Sequence, residues 1–334
     1  MTEHTETETD IDGWQPDAAL GGDFQARTIP LRPDAHGEVV ATLVRLPATE
    51  NPGRGSLLLV HGWADYFLQA ELAGQLAALG FDVYGLDLRR YGRSIRPGQE
   101  ANFSTDMHSY FEELDAAVEL IRTEPGYRQL VVFGHSTGGL ITSLWAHARR
   151  AEGVVDGLVL NSPWLELAEP WHLRVLASPL IQLLGRVAPM YAIRPTSSTA
   201  YGESLHKDYH GEWDYRLDWK PLPAVPVRAG WLAAVRRAHG ELHQGLDVRG
   251  PVLVMHSDKS LLRQLAWTEP IMHVDAVLDV DQIHEWAPKI GQHTEIAAIP
   301  GGMHDLFLSA PPVRANALAT VTTWLDKHFP APVA

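Results

Sequence analysis

Six short apolar runs limit what this chain can fold into: Leu57-Leu58-Leu59-Val60, Val83-Tyr84-Gly85-Leu86, Leu130-Val131-Val132-Phe133, Leu158-Val159-Leu160, Val252 to Met255 and Ile296-Ala297-Ala298-Ile299. None alternates apolar with polar residues, so each reads as a strand covered on both faces, the signature of a parallel sheet. Helical patterns stand between most of them, notably Gln69 to Leu79, Met107 to Arg122 and Leu140 to Arg150. That order predicts a doubly wound α/β fold, with right-handed crossovers placing helices on both faces. Ahead of it, Phe24 to Leu31 and Glu38 to Leu46 alternate as half-exposed antiparallel strands do, joined at Asp34-Ala35-His36-Gly37. The expected sheet is thus mostly parallel and eight-stranded.

The alternation breaks between residues 163 and 248, a stretch holding Trp164, Trp171, Trp213, Trp219 and Trp231 of the chain's 11 tryptophans. It reads as a helical cap inserted into the main domain. Within it Leu173, Leu176, Leu180, Leu183, Leu184 and Val187 recur at helical spacing, and the stripe is expected to face the main domain or a ligand. The expected organisation is an acidic disordered tail over 1–20, a core over 21–162 and 249–334, and the cap over 163–248.

Composition removes several classes of function. With 334 residues, 45% of them hydrophobic, the chain has ample material for a core. No apolar stretch approaches the ~18 residues that span a bilayer, and Met1 to Asp12 lacks the basic start and apolar middle of a secretory signal. The expectation is a cytoplasmic protein without integral membrane contact. Zero cysteines exclude disulfides, a thiol nucleophile and thiolate metal sites, and a net charge of -14 repels phosphate backbones, so no nucleic-acid partner is expected.

Chemistry concentrates in Gly134-His135-Ser136-Thr137-Gly138, which follows the Leu130 run and opens a helical pattern. G-x-S-x-G between strand and helix is a nucleophile elbow: a tight turn that pushes its serine to positive φ and needs glycines where the two backbones meet. The plainer alternative is a glycine-rich turn whose serine caps the helix. A serine hydroxyl is a weak nucleophile, so the elbow calls for a histidine base and a carboxylate to orient it. His304, in Gly301-Gly302-Met303-His304-Asp305 after the last strand-like run, lies at the sheet edge where the elbow also lies. For the acid, Asp258 directly follows the Val252 run, while Asp275 sits in the loop feeding a helix that Asp279 caps. Spacing favours Asp258 and capping favours Asp275. His61-Gly62-Trp63 follows the Leu57 run, so the backbone N–H groups of Trp63 and Thr137 are the candidate oxyanion donors.

These residues resemble the α/β-hydrolase superfamily, in the branch of monoacylglycerol lipases and serine aminopeptidases. The likeness rests on His61-Gly62, Asp87 to Ser94, Gly134 to Gly139, Asp275 with Val277-Leu278-Asp279, and Gly302-Met303-His304, and spans 22–330. It implies a Ser-Asp-His order and an acid that opens an Asp-x-aliphatic-x-Asp pattern, which assigns Asp275 over Asp258. The chain departs from the family at Arg90, where glycine is frequent, in the aromatic Trp63, Tyr66 and Phe67, and in residues 259–274, which read as an insertion between strand and acid. The implied function is hydrolysis of a small carboxylic ester or lipid-like substrate through an acyl-enzyme. Two alternatives are an aminopeptidase, using cap carboxylates such as Glu166, Glu169, Glu203, Glu212 or Asp214 to hold an ammonium, and a receptor that keeps the fold with little turnover. His206/His210 and His239/His243 have zinc-compatible spacing but lack the H-E-x-x-H glutamate, and no Walker A or G-x-G-x-x-G loop is present. No cofactor or metal is expected.

Overall fold

A computed structural model describes residues 13–35, 37–50, 52–194 and 198–332. The expected acidic start Met1 to Asp12, His36 of the first turn, and the side chains of Trp171 and Leu173 lie outside the described residues. In chain order the strands are β1 (Gln15–Pro16), β2 (Gln25–Asp34), β3 (Gly37–Leu46), β4 (Gly55–Val60), β5 (Phe81–Asp87), β6 (Leu130–His135), β7 (Gly157–Asn161), β8 (Ala192–Arg194), β9 (Val227–Arg228), β10 (Val252–Ser257) and β11 (Thr294–Ile299). The helices are α1 (Ala70–Ala78), α2 (Phe111–Thr123), α3 (Thr137–Ala148), α4 (Trp171–Val187), α5 (Ala200–Glu203), α6 (Ala229–His243), α7 (Val280–Trp286) and α8 (Pro311–His328).

The main sheet runs β1-β2-β3-β5-β4-β6-β7-β10-β11. β1, β2 and β3 pair antiparallel at one edge, and β5 onward is parallel throughout. The doubly wound, mostly parallel sheet is therefore the fold the apolar runs predict. Period-two alternation divides each central strand between two cores. Leu58, Val60, Leu130, Val132, Leu158 and Leu160 face a core built with α2, α3 and α6, while Leu57, Leu59, Val131, Phe133, Leu253 and Met255 face one built with α1 and α8. No helix of the described residues is long and apolar enough to cross a membrane.

Three expectations need correction. The sheet has nine strands, because Gln15–Pro16 pairs with Gln25 and Ala26. This ninth strand falls inside the expected tail over 1–20, which is pinned from Gly13 onward: the Arg45 guanidinium lies 4.1 Å over the Trp14 ring and Asp17 forms a buried ion pair with Arg93. Finally, of the two partners expected for the stripe on α4, the main domain is ruled out, because the stripe faces away from it. Leu176, Leu180, Leu183 and Val187 are 58–74% exposed, because α4 meets α6 through its small residue Gly185, where an added Cβ would lie 2.4 Å from that of Ala233. Helices approach through such small residues, and amphipathic spacing alone does not say which side is covered.

Between β7 and β10 the chain forms α4, α5, α6 and the short β8–β9 ladder. Turn 87–94 is structural: Asp87 is buried, accepts from the N–H groups of Phe67 and Arg93, and pairs with the Arg93 guanidinium at 2.8 Å. Arg90, at φ 63, reaches Asp34 and the carbonyl of Phe103 from the position where glycine is frequent.

Candidate active site

β6 ends at His135, and Ser136 takes φ 53, ψ -118 before α3 begins at Thr137. This left-handed conformation is strained for a non-glycine residue. Close backbone approach maintains it: a Cβ on Gly138 would lie 2.3 Å from the carbonyl oxygen of His61, and one on Gly134 2.7 Å from the Cα of Gly139. The Ser136 N–H donates to the carbonyl of Asn161 at the end of β7, at 3.1 Å. Its side chain does not cap α3. The hydroxyl lies instead 3.0 Å from Nε2 of His304.

His304 comes from the turn after β11, and its Nδ1 lies 2.9 Å from Oδ2 of Asp275. The second oxygen, Oδ1, accepts the N–H groups of Val277 and Leu278, each at 2.8 Å. That leaves Oδ2 for the imidazole. Asp275 reaches this position because residues 259–261 pair back with it, Asp275 N–H donating to Lys259 and Leu261 N–H to Asp275. The residues between them bulge out and return. Asp258 is placed elsewhere: its Oδ1 accepts the Gly301 N–H at 2.8 Å, bracing the turn that follows β11. Of the two candidate acids, the structure brings Asp275 to the histidine.

The loop after β4 touches the elbow, with a Cβ on Gly62 falling 3.0 Å from that of Ser136. His61 itself is held neutral, since burial lowers its pKa, Nδ1–H donates to Gly62 and Nε2 accepts the Leu88 N–H. Two of the aromatic residues of this loop are packed by the 163–248 segment, while Phe67 packs into the core beside Phe24 and Gly85. Trp63 lies against Trp231 of α6, which lies against Trp164, with centroids 5.0 and 5.6 Å apart. Tyr66 meets Trp219 edge-on at 5.2 Å. Ser136, Asp275 and His304 are 8%, 0% and 3% exposed, so all three side chains are buried in this conformation.

Two buried groups next to the triad carried no motif and were missed in the sequence. Asp305 follows His304 directly, yet reads as a loop aspartate until the fold surrounds it. Asp65 is 2% exposed and its Oδ1 accepts from Nζ of Lys220 at 2.7 Å, joining the loop after β4 to the 163–248 segment. Oδ2 of Asp65 is buried with no donor among the described residues. Burial alone would raise the Asp65 pKa, but the Lys220 ammonium overrides it and the net shift is downward. That pair stabilises the fold above the ordinary aspartate pKa and the contribution is lost as pH falls through the lowered one. Lys220→Met removes the compensating charge, so burial then dominates and raises the pKa. The expected result is a destabilisation of about 3 kcal/mol at pH 7 that shrinks toward pH 4, measured by urea unfolding at both pH values. A loss independent of pH contradicts this account of Asp65.

Most acidic residues proposed for an ammonium site are engaged by cations. Glu166 is held by Arg174 and Arg236, Glu169 by Arg263, Glu212 by Arg314 and Asp214 by Lys207. The zinc-spaced histidines are also engaged: His206, His239 and His243 contact the carbonyls of Tyr215, Trp164 and Leu165, and His210 stacks on Trp267.

The family described as "Serine aminopeptidase, S33" matches residues 51–310. Lysophospholipase L2 of Escherichia coli is 31% identical over 325 residues, covering 92% of this chain and 85% of that protein. A monoacylglycerol lipase of Mycolicibacterium smegmatis is 27% identical over 277 residues, covering 83% of this chain and 89% of that protein. Among solved structures, a soluble variant of Saccharomyces cerevisiae monoglyceride lipase in complex with a substrate analog superposes with a TM-score of 0.67 at 20% identity, covering 90% of this chain and 94% of that one.

Proposed function

The chain belongs to the serine aminopeptidase, S33 family of α/β-hydrolases, and from that premise we propose that it hydrolyses carboxylic esters through an acyl-enzyme on Ser136. One observation carries the reading: a serine at φ 53 whose hydroxyl lies 3.0 Å from a buried imidazole, itself 2.9 Å from a buried carboxylate. Ser136 Oγ attacks the carbonyl carbon while His304 Nε2 takes its proton. Asp275 holds the Nδ1–H and stabilises the imidazolium. The N–H groups of Trp63 and Thr137 receive the oxyanion, each such donor being worth ~3 kcal/mol in the transition state. Collapse expels the alcohol, which takes the proton from His304, and water then releases the acid by the same steps in reverse roles. Residues 163–248 act as the cap over the substrate.

An ester is favoured over a peptide because a substrate ammonium needs an unclaimed carboxylate, and four of the five candidates, Glu166, Glu169, Glu212 and Asp214, already hold cations, which leaves Glu203. The names of the relatives support the same choice, with a monoacylglycerol or lysophospholipid as the substrate class to test first. In a panel of p-nitrophenyl butyrate, monooleoylglycerol and alanyl p-nitroanilide, the expected kcat/KM for the two esters exceeds that for the anilide by ~100-fold or more. Preference for the anilide overturns the ester assignment and leaves the hydrolase. No turnover of any of them favours the receptor reading.

A further inference from the structure

The residue after the base is better buried and more fully hydrogen-bonded than a loop aspartate needs to be. Asp305 is 1% exposed. Oδ1 accepts from Nδ2 of Asn161 at 2.8 Å and from the Phe307 N–H at 3.0 Å, and Oδ2 accepts from Nε2 of Gln69 at 3.0 Å. Its own N–H donates to Oη of Tyr201 at 2.9 Å, and that phenol ring stands edge-on to His304 at 5.6 Å. Asn161 in turn accepts, on its carbonyl, both the Ser136 N–H and Nδ1 of His135. The carboxylate therefore ties together the histidine turn, the end of β7 that holds the elbow and the loop leading into α1, and the backbone N–H of the same residue adds the segment over the site.

We propose that Asp305 is a positioning residue for His304, fixing the imidazole between Asp275 and Ser136. The inference rests on the triad reading above. The acceptor pattern requires a carboxylate, because every bond to the side chain is accepted. An amide at 305 has a single oxygen, so it sets N–H against N–H either at Gln69 or at Asn161 and Phe307. Gln69 cannot simply flip, since its Oε1 already accepts the Leu68 N–H at 3.1 Å. The groups in contact with His304 are Asp275, Ser136, His135 at 4.9 Å between rings and Tyr201. Asp275 is the carboxylate on the ring, and Asp305, the next residue in the chain, fixes the turn that carries it.

Asp305→Asn is expected to lower kcat on p-nitrophenyl butyrate by roughly 10- to 100-fold with KM changed less than about twofold. Asn161→Asp sets two carboxylates together and is also impaired. The exchange Asp305→Asn/Asn161→Asp restores a donor opposite a carboxylate while leaving the Phe307 N–H unmet, so it recovers only part of the parent rate and is expected to be about tenfold or more faster than Asn161→Asp. A double exchange no better than Asn161→Asp, or one that fails to fold, overturns the positioning role. His304→Ala run beside them separates the two levels. Retained turnover there removes the triad itself, whereas its loss with Asp305→Asn unchanged removes this inference alone.

Discussion

Ser136→Ala is expected to lose three or more orders of magnitude in kcat on any ester the protein turns over, because nucleophile and base act as one unit and what survives is the contribution of binding and oxyanion donors. The fold should be retained. Ser136 is held at φ 53 by contacts of the backbone and of Gly134 and Gly138, none of which involve its hydroxyl. Thermal unfolding within a few degrees of the parent, with circular dichroism unchanged, is the matching control. A stable Ser136→Ala protein that still turns over esters at the parent rate is incompatible with an acyl-enzyme on this residue.

The pair Asp275→Asn and Asp258→Asn has the second large effect, and it is asymmetric. In Asp275 one oxygen is committed to the N–H groups of Val277 and Leu278. An asparagine there keeps its single oxygen on those two donors and turns its NH2 toward Nδ1 of His304. The imidazole must then carry its proton on Nε2, facing Ser136, where it cannot accept another. A fall in kcat of ~10⁴ is expected, the size seen when a triad histidine is forced into the wrong tautomer. Asp258→Asn retains an oxygen for the Gly301 N–H and is expected to stay within about threefold of the parent. Equal losses in both variants mean that the turn after β11, and not the acid, limits the rate.

Much of this was legible in the sequence because local pattern and function coincide there. The runs at 57–60, 130–133 and 252–255 are apolar on both faces because helices cover both, and they became β4, β6 and β10. The elbow was readable since only glycines tolerate the approach of His61 to position 138. Choosing between Asp258 and Asp275 needed the resemblance, because the chain returns to pair Ser260 with Asp275 and no spacing rule encodes that return. Which of its two expected partners the α4 stripe would not face was hidden for a related reason: periodicity marks an apolar stripe, but Gly185 decides which side meets α6, and so the stripe is turned from the main domain. Asp65, Lys220 and Asp305 were invisible as sites, since a charged residue in a loop looks solvated until its partner, up to 155 residues away for Asp65 and Lys220, is packed against it.

The most direct measurement is the rate and position of labelling by a fluorophosphonate, followed by intact mass and peptide mapping of the parent chain and of His304→Ala. The account requires one adduct per chain, on Ser136, forming at least ~10³ times more slowly when His304 is absent. Labelling at another residue, or equal rates with and without His304, contradicts it.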